Sequence, residues 1–191
     1  MKPKIKAIAH ALFPGYENEV ENLLPYLQLK KIKAGEMLVN DGQMLNYVGF
    51  VLKGVLRKFF RNDSKDGQTL YFTFEGSVVA EMQSLLHNRP AIYCIQAVED
   101  TELIMIPSIQ LDELCRRFPF LHNISIGQLE TTYTQELERL IILNSRTAEC
   151  RYKDMLMRQP DIIMRVPGHY IASYLGIRPE SLSRIRKNIA S

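Results

Sequence analysis

From residue 34 to residue 106 the chain is cut into short apolar or alternating runs by turn-forming residues. Met37-Leu38-Val39 ends at Asn40-Asp41-Gly42, Tyr47 to Leu52 at Lys53-Gly54, and Val55 to Phe60 at Asn62-Asp63-Ser64 and Asp66-Gly67. Thr69 to Phe74 ends at Glu75-Gly76, Ile92 to Val98 at Glu99-Asp100, and Leu103 to Ile106 at Pro107. Short runs at this spacing are too brief for buried helices. They suit strands of a small sandwich or barrel, with glycine at the corners that need positive φ.

The flanks read differently. Residues 1–31 show helical spacing at Ile5, Ile8, Ala9 and Leu12 and again at Val20, Leu23, Leu24 and Leu27, with breaks at Pro14-Gly15 and Pro25. Ser108 is placed to cap a short helix through Leu111, Leu114 and Cys115 that stops near Phe118-Pro119. A long helix then runs from Pro119 to Asn144 with Leu121, Ile124, Leu129, Tyr133, Leu137, Leu140 and Ile141 as apolar positions. About seven turns with apolar residues on more than one side exceed what one barrel face covers, so a dimer seam is expected along this helix. A further helix covers Arg146 to Met157 and breaks at Gln159-Pro160. The division is 1–118 for a barrel domain, 119–145 for a dimerisation helix and 146–191 for a C-terminal domain.

Charge enters here. The whole chain has 24 basic and 21 acidic residues. Residues 146–191 hold nine of the basic and four of the acidic ones, a net +5, and the remainder is −2. This asymmetry suggests a polyanion partner for the C-terminal part or a solvated basic surface, and charge alone does not separate the two.

Within it, residues 171–187 have the pattern of a helix-turn-helix. Ile171, Ala172 and Leu175 form the inner face of a first helix and Gly176 makes the turn. Ile177 packs the turn inward, Pro179 suits a first helical position, and Leu182 and Ile185 bury the second helix. Arg178, Glu180, Ser181, Arg184 and Lys187 then point outward. Arginine binds guanine through two parallel hydrogen bonds and glutamate accepts from cytosine. Ser183, Arg186 and Lys187 are expected on phosphates.

These residues resemble the DNA-binding segment of the cyclic-AMP receptor / fumarate-nitrate regulator (Crp/Fnr) family of transcription regulators. Residues 33–60, with Gly35-Glu36, Gly42, Gly54 and Arg57, resemble that family's cyclic-nucleotide-binding-type barrel, and residues 95–107 its closing strands. The resemblance implies an α+β chain: an N-terminal double-stranded β-helix (a jelly-roll barrel), a long dimerisation helix and a C-terminal helix-turn-helix domain. It also implies a homodimer through residues 119–145 on a two-fold site in double-stranded DNA, and RNA polymerase as a further partner. The chain stops at Ser191, so no C-terminal wing strands are expected.

Two positions depart from the family. Its cyclic-AMP-binding members carry Gly-Glu and then Arg-Ser or Arg-Thr in the phosphate pocket. Here Ala80-Glu81 stands at the first place and Pro90-Ala91 at the second, with Arg89 one residue early. The effector pocket is therefore expected at Glu81, Met82, Arg89 and Ala91, and to respond to something other than cyclic AMP, or to nothing. In the second helix Glu180 and Arg184 match, but Pro179 replaces an arginine and Arg178 precedes it, so the operator should differ at a base position.

Other chemistry finds little support. Cys94, Cys115 and Cys150 are too far apart for a disulfide framework, a zinc site or the family's iron–sulfur ligands. A cupin-like metalloenzyme would need several histidines in the barrel, and residues 34–106 hold only His87, read as a loop residue rather than a haem ligand. No catalytic residue and no metal site are expected. No apolar run approaches the roughly 18 residues of a membrane span and the N-terminus lacks a signal-peptide core, which points to a cytoplasmic protein. A ligand-sensing or protein-interaction module without specific DNA binding stays open as the alternative.

Overall fold

The computed structural model describes residues 6, 7, 9, 10, 13–62 and 67–190. The helical positions Ile5, Ile8 and Leu12 and the turn residues Asp63, Ser64 and Asp66 lie outside them. Among the described residues eight strands form the barrel: β1 Gln28–Ile32, β2 Met37–Val39, β3 Tyr47–Lys53, β4 Leu56–Phe60, β5 Gln68–Thr73, β6 Val78–Val79, β7 Cys94–Ala97 and β8 Thr101–Pro107. They pair antiparallel in two four-stranded sheets, ordered β1-β8-β3-β6 and β2-β7-β4-β5.

Successive residues of a strand face opposite sides, and this alternation sorts the core. Leu56 of β4 and Leu103 and Met105 of β8 point into the barrel with Val51 and Ile95. Ile104 points outward to a second cluster, with Val20 and Leu23 of helix α1 (Glu17–Leu23), Leu114 of α3 (Ser108–Arg117) and Phe120 and Leu121. Gly54 turns β3 into β4 at φ +102°, and a Cβ there would sit 2.4 Å from the Thr101 hydroxyl and 2.7 Å from its Cα. Both the conformation and the close approach demand glycine.

Three sequence expectations need correction. Residues 28–32 are not helical: all five pair with β8, from Gln28 opposite Met105 to Ile32 opposite Thr101. Pairing with a neighbouring strand overrides local pattern, which here was short and mixed. Ser108 does not cap α3; it is the first helical residue, preceded by Pro107, and makes no side-chain capping bond. The helix after the long one begins at Ala148 rather than Arg146, capped by Thr147, whose hydroxyl accepts from the Cys150 amide. Helix α2 (Met82–His87) and strand β6 had not been anticipated.

The long helix α4 (Pro119–Ser145) starts with proline in its first turn, where a missing N–H costs nothing. Its first turns pack on the barrel through Phe120 and Leu121. Further along, Leu129, Tyr133, Leu140 and Ile141 are each more than half exposed, with Ile126 and Leu137 beside them. Their spacing of three and four gathers them on one stripe. The C-terminal part follows as α5 (Ala148–Arg158), α6 (Ile162–Arg165), α7 (Gly168–Tyr174) and α8 (Pro179–Ala190). It shares a core with the barrel: Val55 and Phe72 join Tyr152, Ile162, Ile171 and Leu182. Among the described residues no helix is long and apolar enough to cross a membrane.

Candidate nucleic-acid interface and effector region

Helix α7 ends in a closed cap. The Ile177 amide donates to the Ala172 carbonyl at 3.0 Å and the Gly176 amide to that of Ser173 at 3.1 Å, with Gly176 at φ +68°. This paired pattern satisfies carbonyls that a helix end otherwise leaves open, and the left-handed residue favours glycine. Ile177 then packs back on the cluster as the sequence suggested. Helix α8 begins with Pro179, and its first-turn amides at Ser181 and Leu182 both donate to the Arg178 carbonyl. Ile171 and Ala172 are fully buried and Leu182 nearly so.

Arg178, Glu180, Ser183, Arg184 and Lys187 are exposed along the outer face of α8, and Ser181 is half-buried at its edge. The Ser183 hydroxyl donates to the Pro179 carbonyl at 3.2 Å, which leaves its lone pairs outward. Arg186 is a correction. It is half-buried, its guanidinium lies 5.8 Å from the Tyr152 ring centre, and its Nε and Nη2 are buried. One face of a helix cannot serve both core and phosphate, and Arg186 sits on the inner edge.

The C-terminal helices α5–α8, the candidate DNA reader, are fastened to the barrel. Arg57 on the outer face of β4 is 1% exposed. Its guanidinium lies 3.9 Å from the Tyr170 ring centre on α7 and 4.2 Å from that of Phe59, and its Nε donates to the Thr69 hydroxyl at 2.8 Å. A cation held between two rings and hydrogen-bonded keeps its charge when buried. The Ser173 hydroxyl donates to the Gly67 carbonyl and accepts from the Thr69 amide. Arg165 of α6 donates to both oxygens of Glu75, at 2.9 and 2.6 Å, and also to Glu99. Those bonds, with the Gly54 amide, hold the Glu75 carboxyl at about 2.

In the expected effector region, Glu81 is fully buried and caps α2: one carboxylate oxygen accepts from the Ser84 amide at 2.6 Å, while Oε1 is buried with no partner. Met82 is half-buried and Ala91 buried. Arg89 is exposed. The cause is local: α2 ends at Asn88 in the left-handed region, φ 50°, and the chain reverses there. His87 is exposed in the last turn of α2.

Sequence reading missed the groups nearest Glu81. Lys58 lies inside the barrel, because β4 alternates and Lys58 shares the inward face with Leu56. Its ammonium donates to the Tyr71 hydroxyl at 3.0 Å and sits 3.7 Å from the Tyr93 ring centre. Burial pushes Lys58 down to about 8, opposed by the charges of Glu136 and Glu81, and pushes Tyr71 up to about 12. Strand parity carried this signal. Among the described residues no group of three His, Cys, Asp or Glu is placed to hold a metal ion.

Residues 29–118 match the family model for a cyclic nucleotide-binding domain. The chain is 24% identical over 167 residues to the transcriptional activator protein Anr of Pseudomonas protegens, covering 82% of this chain and 68% of that one. It is 26% identical over 185 residues to the cyclic AMP receptor protein of Thermus thermophilus, covering 95% and 84%. Among solved structures it resembles FixK2 from Bradyrhizobium japonicum, with a TM-score of 0.70 at 18% identity over 86% of this chain and 84% of that one. The Thermus thermophilus catabolite activator protein gives a TM-score of 0.54 at 25% identity over 96% and 86%.

Proposed function

We propose, for a chain that belongs to the Crp/Fnr family of transcription regulators, that it reads a two-fold DNA site as a homodimer without answering to cyclic AMP. One observation carries the reading: α8 is buried on Leu182 and presents Arg178, Glu180, Arg184 and Lys187 on its open face. A second helix of this kind enters the major groove, with residues near its start on base edges. Arg178, Glu180 and Arg184 are assigned to bases, with Ser181 at the groove edge, and Ser183 and Lys187 to phosphates. The uncovered stripe of α4 is assigned to the seam that sets two readers one helical turn apart. A contact with RNA polymerase belongs to the same proposal, and no catalytic step does.

The cyclic-nucleotide part rests on fit. A cyclic phosphate needs an uncommitted cation in the pocket; Arg89 faces solvent, and the Lys58 ammonium beside Glu81 is already bonded to the Tyr71 hydroxyl and seated on the Tyr93 ring. Proton-linked or protein-level control is the remaining route if no ligand enters there.

The test is a gel shift of the full chain on promoter-length duplexes across 50–200 mM salt, concentrations chosen from the usual range of such assays. Several phosphate contacts per reader predict a log–log slope steeper than about −5, with competitor DNA of random sequence displacing it at least about a thousandfold less well. Equal affinity for every duplex would leave only the interaction-module alternative.

A further inference from the structure

Residues 146–191 are fewer than the roughly 60 at which an independent core is already marginal. The barrel completes theirs. Val55 and Phe72, with Phe74 and Val98 packed beside them, close the apolar cluster built on Ile162, Ile171 and Leu182. Domains of one chain move against each other by default unless the surface between them is large and apolar. This surface is apolar, and polar contacts fasten it as well.

Those contacts are spread over one face of the β2-β7-β4-β5 sheet. At the start of β5 the Ser173 hydroxyl holds the Gly67 carbonyl and the Thr69 amide, at 2.9 and 2.8 Å. Just past the end of β5, Arg165 reaches Glu75, and it also reaches Glu99 beyond β7. Across β4 and β7, Tyr170 covers Arg57 and its hydroxyl meets Gln96 at 3.4 Å. Arg139 of α4 ties barrel to reader directly, donating to the Thr69 and Tyr174 carbonyls at 3.2 and 3.0 Å. A contact at one point allows rotation. Contacts at three points off a line fix the orientation of one body on the other.

Arg57 lies in the middle of this joint. It is 1% exposed although β4 turns it away from the barrel core. Besides the Nε bond to Thr69, its Nη2 donates to the Gly67 carbonyl at 3.4 Å. One guanidinium thus holds the same two residues that Ser173 holds, and carries the Tyr170 ring on its face. Lysine has neither the flat face for two rings nor the fork for two acceptors.

We propose that Arg57 is a positioning residue for DNA reading: through Tyr170 and the Gly67–Thr69 segment it fixes α8 against its own barrel, and so sets the half-site spacing that a dimer accepts. The joint stands on contacts within one chain. The step to spacing rests on the proposed dimeric reading of DNA.

Two measurements on the full chain test it. In the first, nitroxides on exposed Cys150 and on Lys30→Cys of β1 report the distance from reader to barrel, in a Cys115→Ser background diluted with unlabelled chain. One narrow distance is expected, and Arg57→Met should broaden it at least about twofold, as a freed joint between domains does. In the second, the inverted repeat that the chain selects from random duplexes is rebuilt with one base pair added or removed at its centre. That change turns the second half-site by about a tenth of a helical turn. It should cost the native chain at least about tenfold in affinity, as a mismatched base pair does. Arg57→Met should keep its affinity for an isolated half-site and cut the spacing penalty to less than about threefold, under half of that free energy. A residue that only stabilised the fold would lower the melting temperature and leave the spacing penalty unchanged. Ser173→Ala removes two bonds of the same joint and carries both measurements if Arg57→Met does not fold. Equal distance widths, or an unchanged spacing penalty in the folded variant, would overturn the proposal. No selected sequence from the native chain would overturn the DNA reading and the spacing role with it, while the distances alone decide the joint.

Discussion

Arg165→Met should loosen the reader from the barrel, and by an amount that depends on pH. Arg165 joins α6 to Glu75, which precedes β6, and to Glu99, which precedes β8. Glu75 sits at about 2 against an ordinary 4.5. A displacement of that size, at roughly 1.4 kcal/mol for each tenfold change in proton affinity, would be worth about 3.5 kcal/mol in a dry site. The Glu75 side chain is 37% exposed and that of Arg165 27%, so water screens much of it. About 1–1.5 kcal/mol is the discounted figure. Because the folded carboxyl lies below its unfolded value, the contribution is complete above about pH 4.5. It is lost as pH falls toward 2. Urea unfolding of both proteins gives the comparison. With a slope of about 2–3 kcal/mol per molar, the midpoint of the variant should be about 0.5 M lower at pH 7. The gap should narrow below pH 4.5. Equal midpoints at pH 7, or a gap that stays constant down to pH 3, would refute the argument.

Four further outcomes are expected. Gly54→Ala should cost at least about 2 kcal/mol by chemical denaturation, since its Cβ meets Thr101 at a φ of +102°, and a loss under 0.5 kcal/mol would mean the corner relaxes freely. Leu140→Glu together with Tyr133→Glu should leave a folded monomer in sedimentation equilibrium; a persisting dimer would move the seam elsewhere. Lys58→Met with Tyr71→Phe removes a buried donor and its acceptor together and should hold or raise stability at pH 7 by about 1 kcal/mol, whereas a loss above that would show the pair to be net stabilising. Arg184→Ala should keep its melting temperature and lose about 1–3 kcal/mol of discrimination at one base step per half-site, and an unchanged preference would remove Arg184 from the bases.

The parts of this chain that were legible in its sequence are those where one residue type leaves one option. Gly176 between two apolar stripes fixed the turn of the reader, and Leu182 told which side of α8 is buried. Turn residues bounded most strands within a residue or two. Strand β1 was misread because Gln28–Ile32 has two lysines and no clean alternation; only its pairing with β8 makes it a strand. Helix α2 was missed because six residues are too few to show a period. The expected effector set came from resemblance, and the backbone reversal at Asn88 that turns Arg89 outward has no counterpart in a residue-by-residue match. Lys58 was readable in principle, since parity with Leu56 places it inward. Arg57 was noted only as a strand position; that it lies beneath Tyr170 depends on how α7 meets β4, which no local pattern encodes.

Selection of binding sites from a pool of random duplexes by the purified full chain tests the central claim most directly. A dimer reading DNA through α8 should enrich an inverted repeat whose half-sites are centred about one helical turn, roughly 10 base pairs, apart. The same selection with Arg184→Ala should relax one matching position in each half. No enriched sequence, or a single unrepeated half-site, would contradict a dimer reading DNA through α8.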